Sequence, residues 1–378
     1  LFLNELLLKD FRNYLEINFS PDQGINIITG PNAQGKTNLL EAIFISGMGF
    51  SFRLKDKDVV RWGSEQSILK SSYQLDGFTV DVHIQVKFDG FKKILINGTE
   101  NDRKNLPGHY GIILFRPEDL HIIKGPPSQR RDFIDYDIGS INPVYRKLIQ
   151  QYKRIILHRN NLLRRGGYRQ DEFKIWNEEF YRYGAEVLYR RIKLLKNYFP
   201  LVRDIYAVIA GKNEILDMKY LSSAKISGST SIDQIINDFI IEGKSREKEE
   251  IYKKQTLFGP HRDDITFLLN NKDIRNFGSQ GQVRSVVLAL KAAQMELFKR
   301  QSGQNPIMLL DDVLMELDEN RQNYLIKLIS GNNQAFITTT EIPKTISRHV
   351  DRIYFINRGT IEERGHTSLR NVPNLREE

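Results

Sequence analysis

The chain has 378 residues, 40% hydrophobic and 27% charged, enough for a large core shared among two or three packed units. It contains no cysteine, which excludes a disulfide scaffold and a thiolate metal site and fits a reducing, cytoplasmic home. The formal charge is +9, and residues 141–200 hold 14 Lys/Arg against 5 Asp/Glu, so the excess is confined to one segment.

No apolar run approaches the roughly 20 residues of a membrane span, and the opening LFLNELLLKDFRNY lacks the basic region of a signal peptide. Asn97-Gly98-Thr99 matches a glycosylation sequon, which a cytoplasmic protein would not use.

Short β-like runs cover Phe2–Leu8, Glu16–Phe19 and Ile25–Thr29, and a helix is predicted over Lys36–Ser46 with Leu39, Leu40, Ile43 and Phe44 on one face. Ile68–Leu75, Thr79–Lys87 and Lys93–Asn97 alternate apolar and polar residues, with turns at Asp76-Gly77 and Asp89-Gly90. Ile112–Phe115 is a buried-strand candidate. The middle is helical: Pro143 to about Arg165, stopped by Gly166-Gly167, then Glu172 to about Leu195, interrupted by Pro200, then about Asp233–Lys254. Gly228 to Ser231 mark a loop. A β/α pattern returns with strands at Ile265–Leu269, Ile307–Leu310, Ala335–Thr339 and Arg352–Ile356 and helices at Gln282–Phe298 and Asn320–Ile329. The two ends thus read as halves of one α/β head, residues 1–140 plus 256–378, split by a helical arm at 141–255.

Gly30-Pro31-Asn32-Ala33-Gln34-Gly35-Lys36-Thr37 fits G-x-x-x-x-G-K-[ST] between a strand and a helix. The glycines permit a turn whose N–H groups point inward, and the helix adds its positive end. Lys36 supplies charge to β and γ phosphates, and Thr37 a hydroxyl to Mg²⁺. These are the features of an ATP or GTP site. A GTPase would also carry N-K-x-D and D-x-x-G, and neither occurs.

Ile307 to Asp312 is an apolar strand ending in two carboxylates, a Walker B pattern. A strand lying beside the P-loop strand would set Asp311 near the Mg²⁺, with Asp312 placed to orient or deprotonate water. The alternative is simple capping at a strand end. Phe277-Gly278-Ser279-Gln280-Gly281-Gln282 opens an amphipathic helix. It reads either as a plain N-cap turn or as a second anion site, facing the P-loop of another copy.

The charge excess at 141–200 reads either as a footprint for a polyanion or as a solvated helical face. Candidate phosphate contacts are Lys153, Arg154, Arg159, Arg164, Arg165, Arg190 and Arg191, which would be sequence-blind and salt-dependent. Tyr168, Trp176, Tyr181 and Tyr183 could stack on bases, although core packing is the favoured reading.

This order of P-loop, long insertion, S-Q-G-Q and Walker B resembles the ABC-type ATPase heads of the SMC and Rad50 kind, and most closely the RecF family of bacterial DNA replication and repair proteins. LLLKDFRNYLEINF, GPNAQGKTNLLEAI, LFRPEDLHIIKGPPSQRRDFID (114–135), GPHRDD (259–264), LLDDVLMELDENR (309–321) and QAFITTT (334–340) carry the resemblance over nearly the whole chain. It implies an α/β, ABC-type P-loop head with a mixed sheet and an inserted helical arm. Ser279, Gly281 and Gln282 would engage γ-phosphate in trans, with Arg12 and Asn32 touching it in cis. Asp312 stands where many ABC ATPases have Glu, which is compatible with slow hydrolysis. Met315 replaces a small D-loop residue, and Thr338–Thr340 lies where transporters carry a switch His.

The family implies an ATP- and Mg²⁺-dependent homodimer that clamps DNA, duplex or single-strand/duplex junction, and a weak ATPase used as a switch. It works with RecR and RecO to load recombinase in repair, replication and the SOS response. Two readings compete with this: the ATP-binding subunit of a membrane transporter, and a nucleotide-dependent protein scaffold. His261 in GPHRDD is as readily structural as functional.

Overall fold

The computed structural model describes residues 1–107, 111–139, 142–167, 170–211, 213–228, 231–331 and 333–364. The chain forms two compact units, residues 1–119 with 295–378, and residues 120–294. These limits lie outside the 141–255 expected for the arm. The added segments bond inside the second unit: Tyr198 OH donates to Leu290 O at 2.6 Å and Gln294 Nε2 to Asp137 O at 2.8 Å.

The first unit contains two six-stranded sheets. One is antiparallel, in the order Tyr14–Phe19, Phe2–Phe11, Gln66–Leu75, Phe78–Lys87, Lys92–Ile96, Thr99–Glu100. Two of its hairpins turn at Asp76-Gly77 and Asn97-Gly98, all four residues with positive φ, as a type I′ turn requires. The apparent sequon is therefore a hairpin turn.

The second sheet runs Thr360–Arg364, Arg352–Asn357, Ile25–Thr29, Ala335–Thr339, Ile307–Asp311, Ile112–Phe115, parallel except for the terminal hairpin. The Walker B strand does not lie beside the P-loop strand. Ala335–Thr339 separates them, pairing Ile337 with Ile27 on one side and Leu310 on the other.

Helix Lys36–Met48 packs in a core fed by both sheets, with Leu39, Leu40, Ile43 and Phe44 among Leu8, Leu69, Ile84, Ile28 and Leu309. Contact with both sheets explains why the helix is buried nearly all round rather than on a single face.

The second unit is mostly helical. Pro143–Arg165 begins at Asn142, whose side chain accepts from the N–H groups of Val144 and Tyr145, and ends at Gly166. Gln170–Ala210 is one helix of 41 residues, about 60 Å long, so Pro200 does not interrupt it. A mid-helix proline costs about 3 kcal/mol, and the buried Tyr198, Val202 and Tyr206 around it offset that. Ile232–Lys253 starts from a Ser231 cap. Tyr145, Ile149, Tyr152 and Ile155 pack with Phe180, Leu188, Phe239 and Phe258. The strand Leu216–Leu221, absent from the predicted elements although Leu216-Asp217-Met218-Lys219-Tyr220 alternates, joins Asp264–Leu269 and Lys272–Asp273 in a small antiparallel sheet.

Candidate functional site

The P-loop is fixed from outside by its own unit. Gly30 has φ +144°, and a Cβ there would lie 2.3 Å from Ile356 O. Gly35 has φ +114°, and its Cβ would meet Asn13 Nδ2 at 2.6 Å. Asn13 Nδ2 donates to Gln34 O at 2.8 Å, Tyr14 OH to Gly35 O at 2.9 Å, and Arg358 N to Gln34 Oε1 at 2.7 Å. Pro31, Asn32 and Ala33 remain exposed at the loop's tip. Lys36 Nζ donates to Gly30 O at 2.8 Å and Pro31 O at 2.9 Å. Burial lowers its pKa, while Asp312 and Asp311 pull the other way.

Thr37 Oγ1 donates to Asp311 Oδ1 at 2.9 Å, so the loop reaches the acidic strand across the intervening one. That intervening strand contributes Thr338, whose hydroxyl donates to the same Asp311 oxygen at 2.7 Å and accepts the N–H of Asp312 at 2.9 Å. Burial raises the pKa of Asp311, the two threonine bonds oppose it, and Asp312 and Glu118 add to it. Asp312 takes φ 50°, uncommon for a residue with a side chain, and its Oδ1 is buried without a hydrogen-bond partner. The half-buried Thr37 hydroxyl, the Asp311 carboxylate and the orphaned Asp312 oxygen nearby fit a hard cation such as Mg²⁺ with its water. Among the described residues no group of three or more His, Cys, Asp or Glu could hold a metal by itself. A cation at Thr37 and Asp311 would therefore complete its shell with phosphate oxygens and water.

Sequence reasoning assigned no site role to Tyr14, Asn13 or Arg358, and placed Thr338 only by its likeness to a transporter's switch position. Its bonds to both acidic residues follow from its place on a fully buried strand. Arg12 is committed to Glu41, donating from Nε at 3.0 Å and Nη2 at 2.8 Å, and from Nη1 to Asp58 O at 2.7 Å. It lies one residue from the clamp Asn13, with its guanidinium turned to that buried carboxylate.

In the second unit, Ser279 N donates to Gln282 Oε1 at 2.9 Å and Gln282 N to Ser279 Oγ at 3.2 Å, a reciprocal helix cap. Gln282 Nε2 also donates to Glu214 Oε1 at 2.7 Å. Ser279 is exposed and Gly281 half-buried at the helix start.

The basic segment divides. Lys153, Arg154, Arg164 and Arg165 are exposed, and Arg190 is half-buried and paired with Glu186. Arg159 and Arg191 are each 1% exposed and offer no surface to a phosphate, which corrects their expected role. Arg159 pairs with Glu250 and bonds Thr256 Oγ1 at 2.8 Å and Asn177 Oδ1 at 2.8 Å. Arg191 pairs with Asp135 at 2.9 Å and donates to Pro260 O at 2.9 Å and Tyr220 OH at 3.0 Å. Both stand on the helical stripe that faces the core. Trp176 stacks on His158, ring centroids 4.6 Å apart, and Tyr181 and Tyr183 pack on the arm's core, as the packing reading holds. Tyr168, with Ser229 and Thr230 of the expected loop, lies outside the described residues.

GPHRDD meets the tail of the 114–135 segment. Asp264 accepts from Arg130 Nε at 2.6 Å and Nη2 at 3.0 Å, and Asp263 O from Arg131 Nη1 at 2.9 Å. Tyr152 OH lies 2.7 Å from His261 Nδ1. Desolvation lowers the His261 pKa to about 3, with nearby Arg262 adding to it, so the ring is neutral and structural.

Among the described residues no helix is long and apolar enough to cross a membrane. A family model, the RecF/RecN/SMC N-terminal domain, matches residues 2–362. The DNA replication and repair protein RecF of Desulforamulus reducens is 42% identical over 369 residues, 96% of this chain and 99% of its own. A solved structure of the recombination mediator protein RecF with ATP, in the RecFOR pathway, superposes with a TM-score of 0.88 at 32% identity, covering 96% of this chain and 98% of that one. An SMC head bound to the winged-helix domain of ScpA shares the fold, with a TM-score of 0.59 at 16% identity over 98% of this chain and 100% of that one. These relationships do not favour the transporter reading. With an ATPase-head fold and a phosphate loop joined to an acidic strand, the chain belongs to the RecF family of DNA replication and repair proteins.

Proposed function

We propose that this chain binds ATP with Mg²⁺ at Gly30–Thr37 and uses it to close two copies on DNA as an ATP-dependent homodimer. The observation that carries the reading is the 2.9 Å bond from Thr37 to Asp311, which joins the phosphate loop to the acidic strand. Support also comes from the solved RecF structure with ATP.

Lys36 and the loop N–H groups hold the phosphates, and Thr37 and Asp311 hold the cation. When bound, Mg²⁺ would supply charge that neutralises the phosphates. Asp312 orients or deprotonates the attacking water, and Thr338 fixes it in place. Ser279, Gly281 and Gln282 of a second copy reach the γ-phosphate, so ATP contacts both copies and favours the dimer. Hydrolysis is slow, stimulated by DNA, and releases the clamp. Lys153, Arg154, Arg164 and Arg165 contact phosphates of duplex or junction DNA, and RecR and RecO join the complex in the cytoplasm to load recombinase.

The test is sedimentation with ATP and Mg²⁺, coupled to duplex binding at two salt concentrations. Lys36→Met should lose nucleotide binding and dimerisation together. Asp312→Asn should dimerise and hydrolyse poorly. A wild-type monomer saturated with ATP and holding duplex firmly overturns the clamp. DNA affinity indifferent to both ATP and salt leaves a protein scaffold as the better reading.

A further inference from the structure

The antiparallel sheet of the first unit buries one face only. Ser67, Leu69, Ser71 and Tyr73 point inward along Gln66–Leu75, and the alternate residues point out. Across the outward face Lys9 stands opposite Ile68, Ile68 opposite Gln85, and Gln85 opposite Lys93. One step along, Lys70 stands opposite His83. Cross-strand partners share a face, so Lys9, Lys70, His83 and Lys93 project together. The first and last of these strands are three spacings apart, about 14 Å. Lys70 and His83 line a concavity of about 350 Å³ with Ser72 and Leu95, and Glu5 and Asp81 also line it. His83 has its pKa lowered by burial first, then by Lys70 and Lys93, the mark of a locally positive field. Its Nε2 is buried without a partner.

The end of this sheet beside Lys9 is aromatic. Arg61 N donates to Asp10 O at 2.9 Å, setting Trp62 next to the strand end. Phe88 N donates to Glu65 O at 2.9 Å, which brings the Lys87–Lys92 hairpin tip to the same place. Trp62 is 97% exposed, Phe88 71% and Phe91 51%, and the Lys87 ammonium lies 5.5 Å over the Phe91 ring. Single exposed apolar residues are ordinary, but three large aromatic rings at one sheet end need a partner. Among the described residues Lys9, Arg61, Lys70 and Lys87 close no ion pair, while Lys93 lies 3.6 Å from Glu100 in an exposed pair that a phosphate can replace.

We propose that this outward face, from Lys9 to Lys93, with Trp62, Phe88 and Phe91 at its end, is a binding site for single-stranded nucleic acid. Cations that are unpaired or only in an exposed pair fit a phosphate backbone, and exposed aromatic planes fit unpaired bases, whatever their sequence. A duplex hides its base faces and gains nothing from Trp62. The site would let the protein hold the unpaired side of a junction. The inference rests on the DNA-binding reading above.

The chain has two tryptophans, Trp62 and Trp176, so emission can report the site. The probe is a single-stranded thymidine oligonucleotide, added to full-length Trp176→Phe protein with ATP and Mg²⁺. Base stacking should quench Trp62. In the wild-type background, measured by anisotropy, Trp62→Ala should weaken single-strand binding roughly tenfold and leave duplex binding within about twofold. Lys70→Gln with Lys93→Gln should lower the single-strand salt slope by about 1.4. If oligonucleotide binds with Trp62 emission unmoved and Trp62→Ala binds equally, this site is wrong and the DNA reading stands. If neither single strand nor duplex binds, both fall. A blue shift that follows protein concentration, or anionic phospholipid vesicles, instead of oligonucleotide makes the face a contact between copies or a lipid contact and overturns the proposal.

Discussion

The arginine pairs of the second unit and the phosphate site of the first treat buried charge in opposite ways. In the second, Arg159 and Arg191 close on Glu250 and Asp135, and their remaining donors find hydroxyl, amide or carbonyl oxygens. In the first, Lys36 rests on two carbonyls, Asp311 shares one oxygen between two threonines, and Asp312 leaves an oxygen without a partner. Charges that satisfy one another hold a fold. Charges held apart and strained are kept for a ligand, at some cost in stability. Substitutions at the buried arginine pairs of the second unit should therefore move stability, and those at the phosphate loop and acidic strand of the first should move function.

The largest effect is expected at Arg191. Arg191→Ala leaves Asp135 buried beside Tyr145 without its counter-charge, and removes the donors to Pro260 O and Tyr220 OH. Breaking a buried pair from one side costs about 3–5 kcal/mol, which chemical denaturation will register as a lower midpoint. An unchanged midpoint with lost DNA binding would break the comparison and return Arg191 to the phosphate-contacting set.

A smaller effect, dependent on pH, is expected at His261. Its pKa falls from 6.5 to about 3 on folding, so the folded state refuses a proton that the unfolded chain accepts. Its stabilisation is complete above pH 6.5 and declines as pH falls from there toward 3. By about pH 5 the loss is about 2 kcal/mol. His261→Gln retains an acceptor for Tyr152 OH and carries no titrating group. From neutral pH to about pH 5 the unfolding free energy of the wild type should fall by about that amount more than the variant's, as read from denaturation curves. Parallel curves would mean that the ring is solvated when folded.

The same contrast decides what could be read in the sequence. The P-loop was legible because its chemistry is local: two glycines, a lysine and a threonine act within eight positions, between a strand and a helix. Asp311 and Asp312 were legible for the same reason, as the polar end of an apolar strand. The order of the strands was not, because nothing in Ile25–Thr29 or Ile307–Asp311 records that Ala335–Thr339 pairs between them. Arg159 and Arg191 misled because a side chain's charge does not tell which face of a long helix it occupies; the partners that bury them, Glu250 and Asp135, are 91 and 56 residues away. Pro200 misled because local propensity was weighed without the packing of Tyr198 and Tyr206 around it.

Thr338 offers the finest division between stability and function. Its hydroxyl joins both acidic residues from the strand that sequence reasoning did not place, at 2.7 Å from Asp311 Oδ1 and 2.9 Å from Asp312 N. Valine has nearly the same shape, so Thr338→Val removes the hydrogen bonds and leaves the packing. The stability cost should be about 1 kcal/mol, since a hydroxyl bond contributes little net but the Asp312 N–H loses its acceptor. Nucleotide affinity should change little, because Lys36 and the loop are untouched. Turnover should fall much further, because Asp312 keeps its backbone strain and loses the contact that fixes its direction. Equilibrium nucleotide binding and single-turnover hydrolysis on the same preparation measure the two separately. Equal losses in both would make Thr338 a structural residue of the strand, and the line between the two units would then run less cleanly than their hydrogen bonds suggest.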